Sequence, residues 1–294
     1  MRPFRISVPA SSANIGPGFD SMGLAVNLYL TLEVTESEKW EFTSPSLSSN
    51  DNFQDHFIFQ IAAKIAERHQ TTLPVCKVIE TSEIPLARGL GSSASAILAG
   101  IELANQACDL HLSSEDKLQY GTEIEGHPDN IAPALFGGLI ISTLTGNEIN
   151  WLQAPALDVD LVIYIPNTEL KTEAARQVLP DSYTREHAAA ASGISNLVVA
   201  SLLAGDYELA GKMMEKDMFH ESYRSALIPN YDQIRKEAKF YGAYGTVISG
   251  AGPTMISFAP KGEGPAITEP LQAILPDYHV SVMKIDMQGL TVEQ

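Results

Sequence analysis

The stretch Ile84-Pro85-Leu86-Ala87-Arg88-Gly89-Leu90-Gly91-Ser92-Ser93-Ala94-Ser95-Ala96 decides how this chain is to be read. It follows a segment of strand character, residues 75–81, and leads into residues 92–108, a small-residue apolar run that reads as a helix buried on most sides. Glycines permit positive φ and close backbone approach, so successive N–H groups can converge on one anion. A helix that starts there adds the positive end of its dipole. Hydroxyls at Ser92 and Ser93 suit phosphate oxygens or a magnesium shell. A tight turn followed by a serine N-cap accounts for the same five residues, Gly89 to Ser93. The loop lacks the lysine of a Walker loop and the G-x-G-x-x-G spacing of a dinucleotide site.

The chain has 294 residues, 45% hydrophobic and 19% charged, enough for one large or two medium domains with a sizeable core. Its formal net charge is −17, which repels nucleic-acid backbones and counts against them as partners. The same field means that an anionic ligand has to be held by local donors, which backbone N–H groups supply without adding formal charge. No run of consecutive apolar residues approaches the ~18 of a membrane span. Residues 1–8 enter a strand pattern at once, without the apolar core of a signal peptide. Cys76 and Cys108 are far apart in sequence and read as free thiols in apolar segments, so the expected compartment is the reducing cytoplasm.

Strand-like and helix-like segments alternate through the first 150 residues. Residues 4–8, 28–34, 137–143 and 159–165 read as strands and residues 53–69 as an amphipathic helix. Ser113 with Asp116 forms a capping-box pattern that starts a helix running toward Glu125. Residues 172–216 are nearly all helical in pattern. Then come a helix (231–240), two short strands (245–249 and 255–259), another helix and a last strand (280–285), a small α+β unit of ferredoxin-like type. The expected division is 1–155 and 156–294.

Two further stretches bear on the phosphate question. Pro9-Ala-Ser-Ser-Ala-Asn-Ile-Gly-Pro-Gly-Phe-Asp-Ser-Met-Gly23 reads as a polar loop after the first strand. Its Asn14 and Asp20 suit an ammonium or hydroxyl, and Asx turns explain them as well. Ile248-Ser-Gly-Ala-Gly-Pro-Thr254 lies between two strands and, alone, fits a hairpin connection.

In this order and spacing the three stretches resemble the signature motifs of the GHMP kinases, small-molecule kinases acting on galactose, homoserine, mevalonate and phosphomevalonate. The likeness covers residues 5 to about 258, and "PASSANIGPGFD" is closest to the homoserine-phosphorylating members. It implies an α+β, two-domain fold: an N-terminal ATP-binding domain like ribosomal protein S5 domain 2 and a ferredoxin-like C-terminal domain. It implies ATP and Mg2+ as cofactors and L-homoserine as the substrate, phosphorylated on its hydroxyl on the way to threonine. Another small alcohol such as mevalonate, or a nucleotide-binding relative without chemistry, is the alternative. No nucleic acid or membrane is implied as partner, and a homodimer is left open.

By resemblance, Pro85 to Ser95 wraps the ATP phosphates. The family loop, P-x-G-x-G-L-G-S-S, has a glycine where this chain has Ala87, and Arg88 faces either phosphate or solvent. Ser93, with Ser92 as fallback, and Glu125, with Glu123 as competitor, correspond to the magnesium ligands. The homoserine ammonium is expected near Asn14 and Asp20, its hydroxyl near Asn130, and its carboxylate at Arg176 and Arg224, whose forks suit a carboxylate. Asn52 matches weakly to an adenine contact. Asn130 cannot act as a general base. The expected catalysis is therefore positioning and charge neutralisation, by Asn130 and Glu125 among others, with Asp129 the one neighbouring carboxylate.

Overall fold

A computed structural model describes residues 2–46 and 52–294. In chain order the first part comprises β1 (Phe4–Ala13), β2 (Met22–Glu36), β3 (Glu41–Thr43), α1 (Phe57–Arg68), β4 (Cys76–Ser82), α2 (Ser92–Ala107), α3 (Ser114–Glu125), α4 (Pro128–Phe136), β5 (Leu139–Thr145) and β6 (Glu148–Gln153). The second comprises β7 (Val159–Pro166), α5 (Thr172–Gln177), α6 (Arg185–Ala204), α7 (Tyr207–Met214), α8 (Glu221–Arg224), α9 (Tyr231–Phe240), β8 (Gly245–Ile248), β9 (Met255–Pro260), α10 (Gly264–Ile274), β10 (Tyr278–Met283) and β11 (Thr291–Glu293).

The elements follow from local sequence. On α1, Ile58, Ile61, Ala62, Ile65 and Ala66 are buried, the apolar stripe of a period-3.6 helix. The capping box of α3 is present, with Ser113 and Asp116 each bonded to the other's backbone N–H. The strands gather into two sheets. One has seven strands, ordered β11-β1-β2-β4-β3, with β5 pairing β2 and β6 pairing β5. The other has four antiparallel strands, ordered β10-β7-β9-β8. Taken as strands 1 to 4 of the second unit these run 4-1-3-2, with helices at both crossovers, the ferredoxin-like arrangement expected from the pattern. Helix α6 is long and apolar enough to cross a membrane, and 22% of its apolar window is buried.

Three features depart from the sequence reading. The stretch 9–13 is strand, not loop: β1 continues through a bulge at Pro9/Ala10 and pairs Ser11 with Ala25. Ser11 and Ser12 are buried, and the bulge lets a proline sit within the pairing. The division at residue 155 falls between β6 and β7, but β11 leaves the second unit and pairs with β1, Arg5 opposite Glu293 and Ser7 opposite Thr291. Cys76 is buried as expected, whereas Cys108 is half-buried; both are free.

Candidate active site

The three glycine-rich turns lock onto one another. Ser11 N donates to Leu90 O (3.1 Å), Gly250 N to Ala13 O (3.0 Å) and Thr254 N to Arg88 O (3.3 Å). The Ser249 hydroxyl lies 2.6 Å from Gly89 O and 2.8 Å from the Ser12 hydroxyl. Asn14 Nδ2 donates to Gly250 O at 2.8 Å, a link between residues 236 apart in sequence. Residues 248–254 are thus part of the loop's support, beyond a hairpin connection.

The central loop ends in an uncapped helix. Gly91, not a serine, is the N-cap of α2, with φ of +69°, and no side chain bonds the first-turn N–H groups. The N–H groups of Ser92, Ser93 and Ala94 therefore make no hydrogen bond to the described residues, at the positive end of a 16-residue helix. The serine-capped turn is not what the chain forms. Gly89 and Ala87 also have positive φ, +75° and +52°, so Ala87 takes a left-handed backbone that favours glycine, at the position where the family pattern has one.

The loop reading needs one correction. Arg88 faces neither solvent nor phosphate: it donates to the carbonyls of Leu86 (2.8 Å), Pro166 (2.9 Å) and Asn167 (2.8 Å) and pairs with Glu169. It therefore fastens the loop to the end of β7. At the far end of the loop the Ala94 and Ser95 side chains are buried, and the Ser95 hydroxyl donates to Pro9 O at 2.9 Å, one turn inside the helix.

Ser93 and Glu125 come together, Oγ donating to Oε2 at 2.8 Å. Glu123 turns away and pairs with Arg68 at 2.6 Å. A hydroxyl and a carboxylate beside free helix N–H groups form a hard-oxygen donor set that fits Mg2+ held partly by nucleotide phosphates. Ser92 and Ser93 line two hollows. One, of about 680 Å3, has mainly apolar walls that include Leu30, Phe57, Ile58, Ile84 and Leu86, with Asn52, His56 and Glu80 as polar groups. The other, of about 90 Å3, is polar and brings together Asn14, Asp20, Glu125, His127, Asp129, Asn130, Arg176 and Arg224 with Gly89 and Gly91.

In the polar hollow, Arg176 pairs with Asp20 at 3.0 Å, both partly exposed. Arg224 is 2% exposed. Its Nε donates to Ala175 O (3.0 Å) and its Nη1 meets His220 Nδ1 and Gly250 O (3.2 Å each), while Nη2 makes no hydrogen bond among the described residues. Burial, and then the Arg176 charge, pushes the Arg224 guanidinium down to about 10, so it stays charged at neutral pH. Asn130 donates to the Ser11 hydroxyl at 2.9 Å and leaves its Oδ1 uncommitted. Asn14 spends its amide on the fold, donating to Gly250 O and accepting from Asp20 N (3.0 Å). Asp129, the neighbouring carboxylate, accepts a short hydrogen bond from His127 Nδ1. Burial pushes the His127 imidazole down, but Asp129, with Asp20 and Glu125 behind it, outweighs this and holds it above its ordinary range.

The sequence reading missed His127, Phe19 and His220. His127 stands two residues from Glu125, and Phe19 next to Asp20. The Phe19 ring lies 5.9 Å from the Arg176 guanidinium carbon and 5.3 Å from that of Arg224.

The chain is 58% identical over its full length to a homoserine kinase of Oceanobacillus iheyensis, covering 100% of both. It is 47% identical to a homoserine kinase of Halalkalibacterium halodurans, over 99% of this chain and 96% of that one. A crystal structure of a homoserine kinase from Cytophaga hutchinsonii superposes with a TM-score of 0.84 at 28% identity, covering 100% of this chain and 98% of that one. The GHMP kinases N terminal domain matches residues 56–138 and the GHMP kinases C terminal domain residues 198–277. With both halves matched, and an uncapped glycine-serine helix start at the centre of the fold, this chain belongs to the GHMP kinases, phosphotransferases that draw on ATP.

Proposed function

We propose that this chain transfers the γ-phosphoryl group of ATP to the hydroxyl of L-homoserine, giving O-phospho-L-homoserine for threonine synthesis. The observation that carries the reading is the Arg224 guanidinium, buried and charged with Nη2 uncommitted, beside Arg176 in a hollow that also holds Asn130 and Glu125. Two guanidinium forks suit a carboxylate, which mevalonate also carries. The amino-acid reading therefore rests further on Asp20, paired with Arg176 at 3.0 Å. A zwitterion matches that pair group for group: its ammonium replaces Arg176 on Asp20, and its carboxylate replaces Asp20 on Arg176. The Asn14 side-chain carbonyl, which accepts from Asp20 N, holds Asp20 in place at the ammonium end.

The mechanism follows from what the residues can do. Free N–H groups at the start of α2 bind phosphate, and the apolar hollow takes the base, with Asn52 at its rim. Ser93 and Glu125 would hold the magnesium, which neutralises phosphate charge when bound. Asn130 Oδ1 accepts from the substrate hydroxyl and aims it; it cannot take the proton away, which leaves late, to the transferred phosphate or to water. Asp129 is occupied by His127. Alignment and charge neutralisation are then the catalytic terms, which a loose phosphoryl-transfer state needs most. No nucleic acid or membrane enters the reading, and the free thiols fit a reducing cytoplasm.

An ADP-release assay with homoserine, mevalonate, galactose and shikimate, with and without magnesium, tests this. Magnesium-dependent turnover of homoserine is expected. Turnover confined to another alcohol would overturn the substrate, and no turnover of any would leave a binding protein.

A further inference from the structure

Arg224 is oriented by a network of which two members, Ala175 and His220, lie outside the lining of the polar hollow. Its guanidinium is planar and rigid, so fixing Nε on Ala175 O and both Nη1 protons fixes where Nη2 points. One of those Nη1 partners is the Nδ1 atom of His220, a fully buried histidine at the start of α8. The tautomer is set from both sides. Gly16 O, 2.9 Å from Nε2, can only accept, so Nε2 carries the proton. Arg224 can only donate, so Nδ1 carries the lone pair.

The imidazole is itself braced. The His220 backbone N–H donates to Asp217 Oδ2 at 2.8 Å, and the ring stacks on Phe19 at 5.4 Å and 28°. The carbonyls of Met218 and Phe219 accept from His187 Nε2 (2.7 Å) and the Tyr183 hydroxyl (2.6 Å). Those two side chains flank the start of α6, which follows the α5 helix that carries Arg176. Nε2 also ties the turn to Gly16 in the loop of Asp20. Burial, together with the Arg224 charge and against Asp217, pushes the imidazole below its ordinary range.

We infer that His220 is the positioning residue of the carboxylate clamp: its Nδ1 accepts one Nη1 proton of Arg224 and so turns Nη2 toward the substrate carboxylate. This rests on the homoserine reading. A histidine that merely fills the core would influence the fold and every substrate alike; one that acts through Arg224 influences the carboxylate alone.

Two substitutions separate the ring's two bonds. His220→Gln can still reach Gly16 O but cannot reproduce the acceptor at Nδ1; His220→Asn keeps an acceptor there and loses the Gly16 contact. In ADP-release kinetics, His220→Gln should raise the KM for homoserine about tenfold, with kcat and the KM for ATP within about twofold of wild type. His220→Asn should recover most of that loss. With 2-amino-1,4-butanediol, which has an alcohol in place of the carboxylate, His220→Gln should match wild type. Equal losses for both variants, or for both substrates, overturn the inference, as does a parallel fall in kcat and ATP affinity. Ring-15N spectra of wild type read the tautomer without any variant having to fold: a protonated Nδ1 at neutral pH also overturns it. A wild-type enzyme that ignores homoserine removes the functional reading as well, whereas active wild type with an unchanged His220→Gln removes only this inference.

Discussion

Gly89 and Ser249 are in backbone contact across 160 residues of sequence: the Ser249 hydroxyl reaches Gly89 O at 2.6 Å, and a Cβ on Gly89 would overlap the Ser249 carbonyl oxygen. It would also stand 2.8 Å from Gly252 O. The phosphate-facing loop is therefore shaped by a loop of the other half of the molecule.

Gly89→Ala should for that reason damage both stability and nucleotide binding. The left-handed backbone, φ +75°, costs an alanine about 1–2 kcal/mol before any overlap is counted. Thermal unfolding should show the loss, and calorimetry should show weakened ATP binding in the remaining folded sample. A variant as stable as wild type with unchanged ATP affinity would refute the interlocked-loop account.

Glu125→Gln should lower turnover and raise the magnesium concentration needed for half-maximal rate, with homoserine KM little changed. The amide still accepts from Ser93 but no longer neutralises a divalent cation. Glu123→Gln should cost almost nothing, because it breaks an exposed pair with Arg68, worth about 0–1 kcal/mol. Magnesium titrations of the two variants decide between the glutamates.

Arg224→Ala should weaken homoserine binding by roughly 1.5–3 kcal/mol, about ten- to a hundredfold in KM, with ATP affinity nearly constant. Because Arg224 also satisfies Ala175 O, Gly250 O and His220, the variant should lose stability too, so its Tm has to be measured beside its kinetics. Arg224→Lys should restore part of the binding. Replacing the substrate carboxylate by an alcohol should cost wild type heavily and Arg224→Ala little, since both changes delete one interaction. Fully additive losses would separate Arg224 from the carboxylate.

Glu221 gives a pH signature. It is buried, accepting from Ile248 N and the Tyr231 hydroxyl (2.7 Å each), and burial pushes its carboxyl up to about 8. A carboxyl whose folded value lies above its unfolded one favours the folded protein in its protonated form. That stability is fully present below the unfolded value, about 4.3, and is lost as pH rises through 8. Glu221→Gln should remove this component. Its Tm relative to wild type should rise between pH 5 and 8.5, by an amount on the order of a few kcal/mol in stability. A constant difference across that range would contradict the raised value.

What the sequence made legible was local chemistry. The stripe on α1, the capping box at Ser113 and the glycine-serine loop each depend on residues within two turns of one another. What it concealed was direction. Glu123 and Glu125 are two residues apart on a helix and so face nearly opposite ways, and only the packed position of α3 says which one meets Ser93. Ser95 reads like Ser93 until α2 is seen to start at Ser92, which turns Ser95 toward Pro9. Arg88 takes carbonyl partners 78 and 79 residues away, beyond any local pattern. Asn14 was legible as important, yet its amide largely serves the fold. His220 gave no signal, because its role lies in two bonds to groups, Gly16 and Arg224, that only the folded chain brings to one ring.

The pairing of β11 with β1 governs when this protein can finish folding. The outer neighbour of residues 5–7 is supplied by residues 291–293, which are translated long after them. A nascent chain that has released only its first 155 residues exposes an unfilled edge on β1, an invitation to wrong partners. The closure joins residues far apart in sequence, which slows this step and leaves that edge open long. Ribosome-stalled chains ending before residue 291 should therefore recruit chaperones or aggregate more readily than chains that have cleared it.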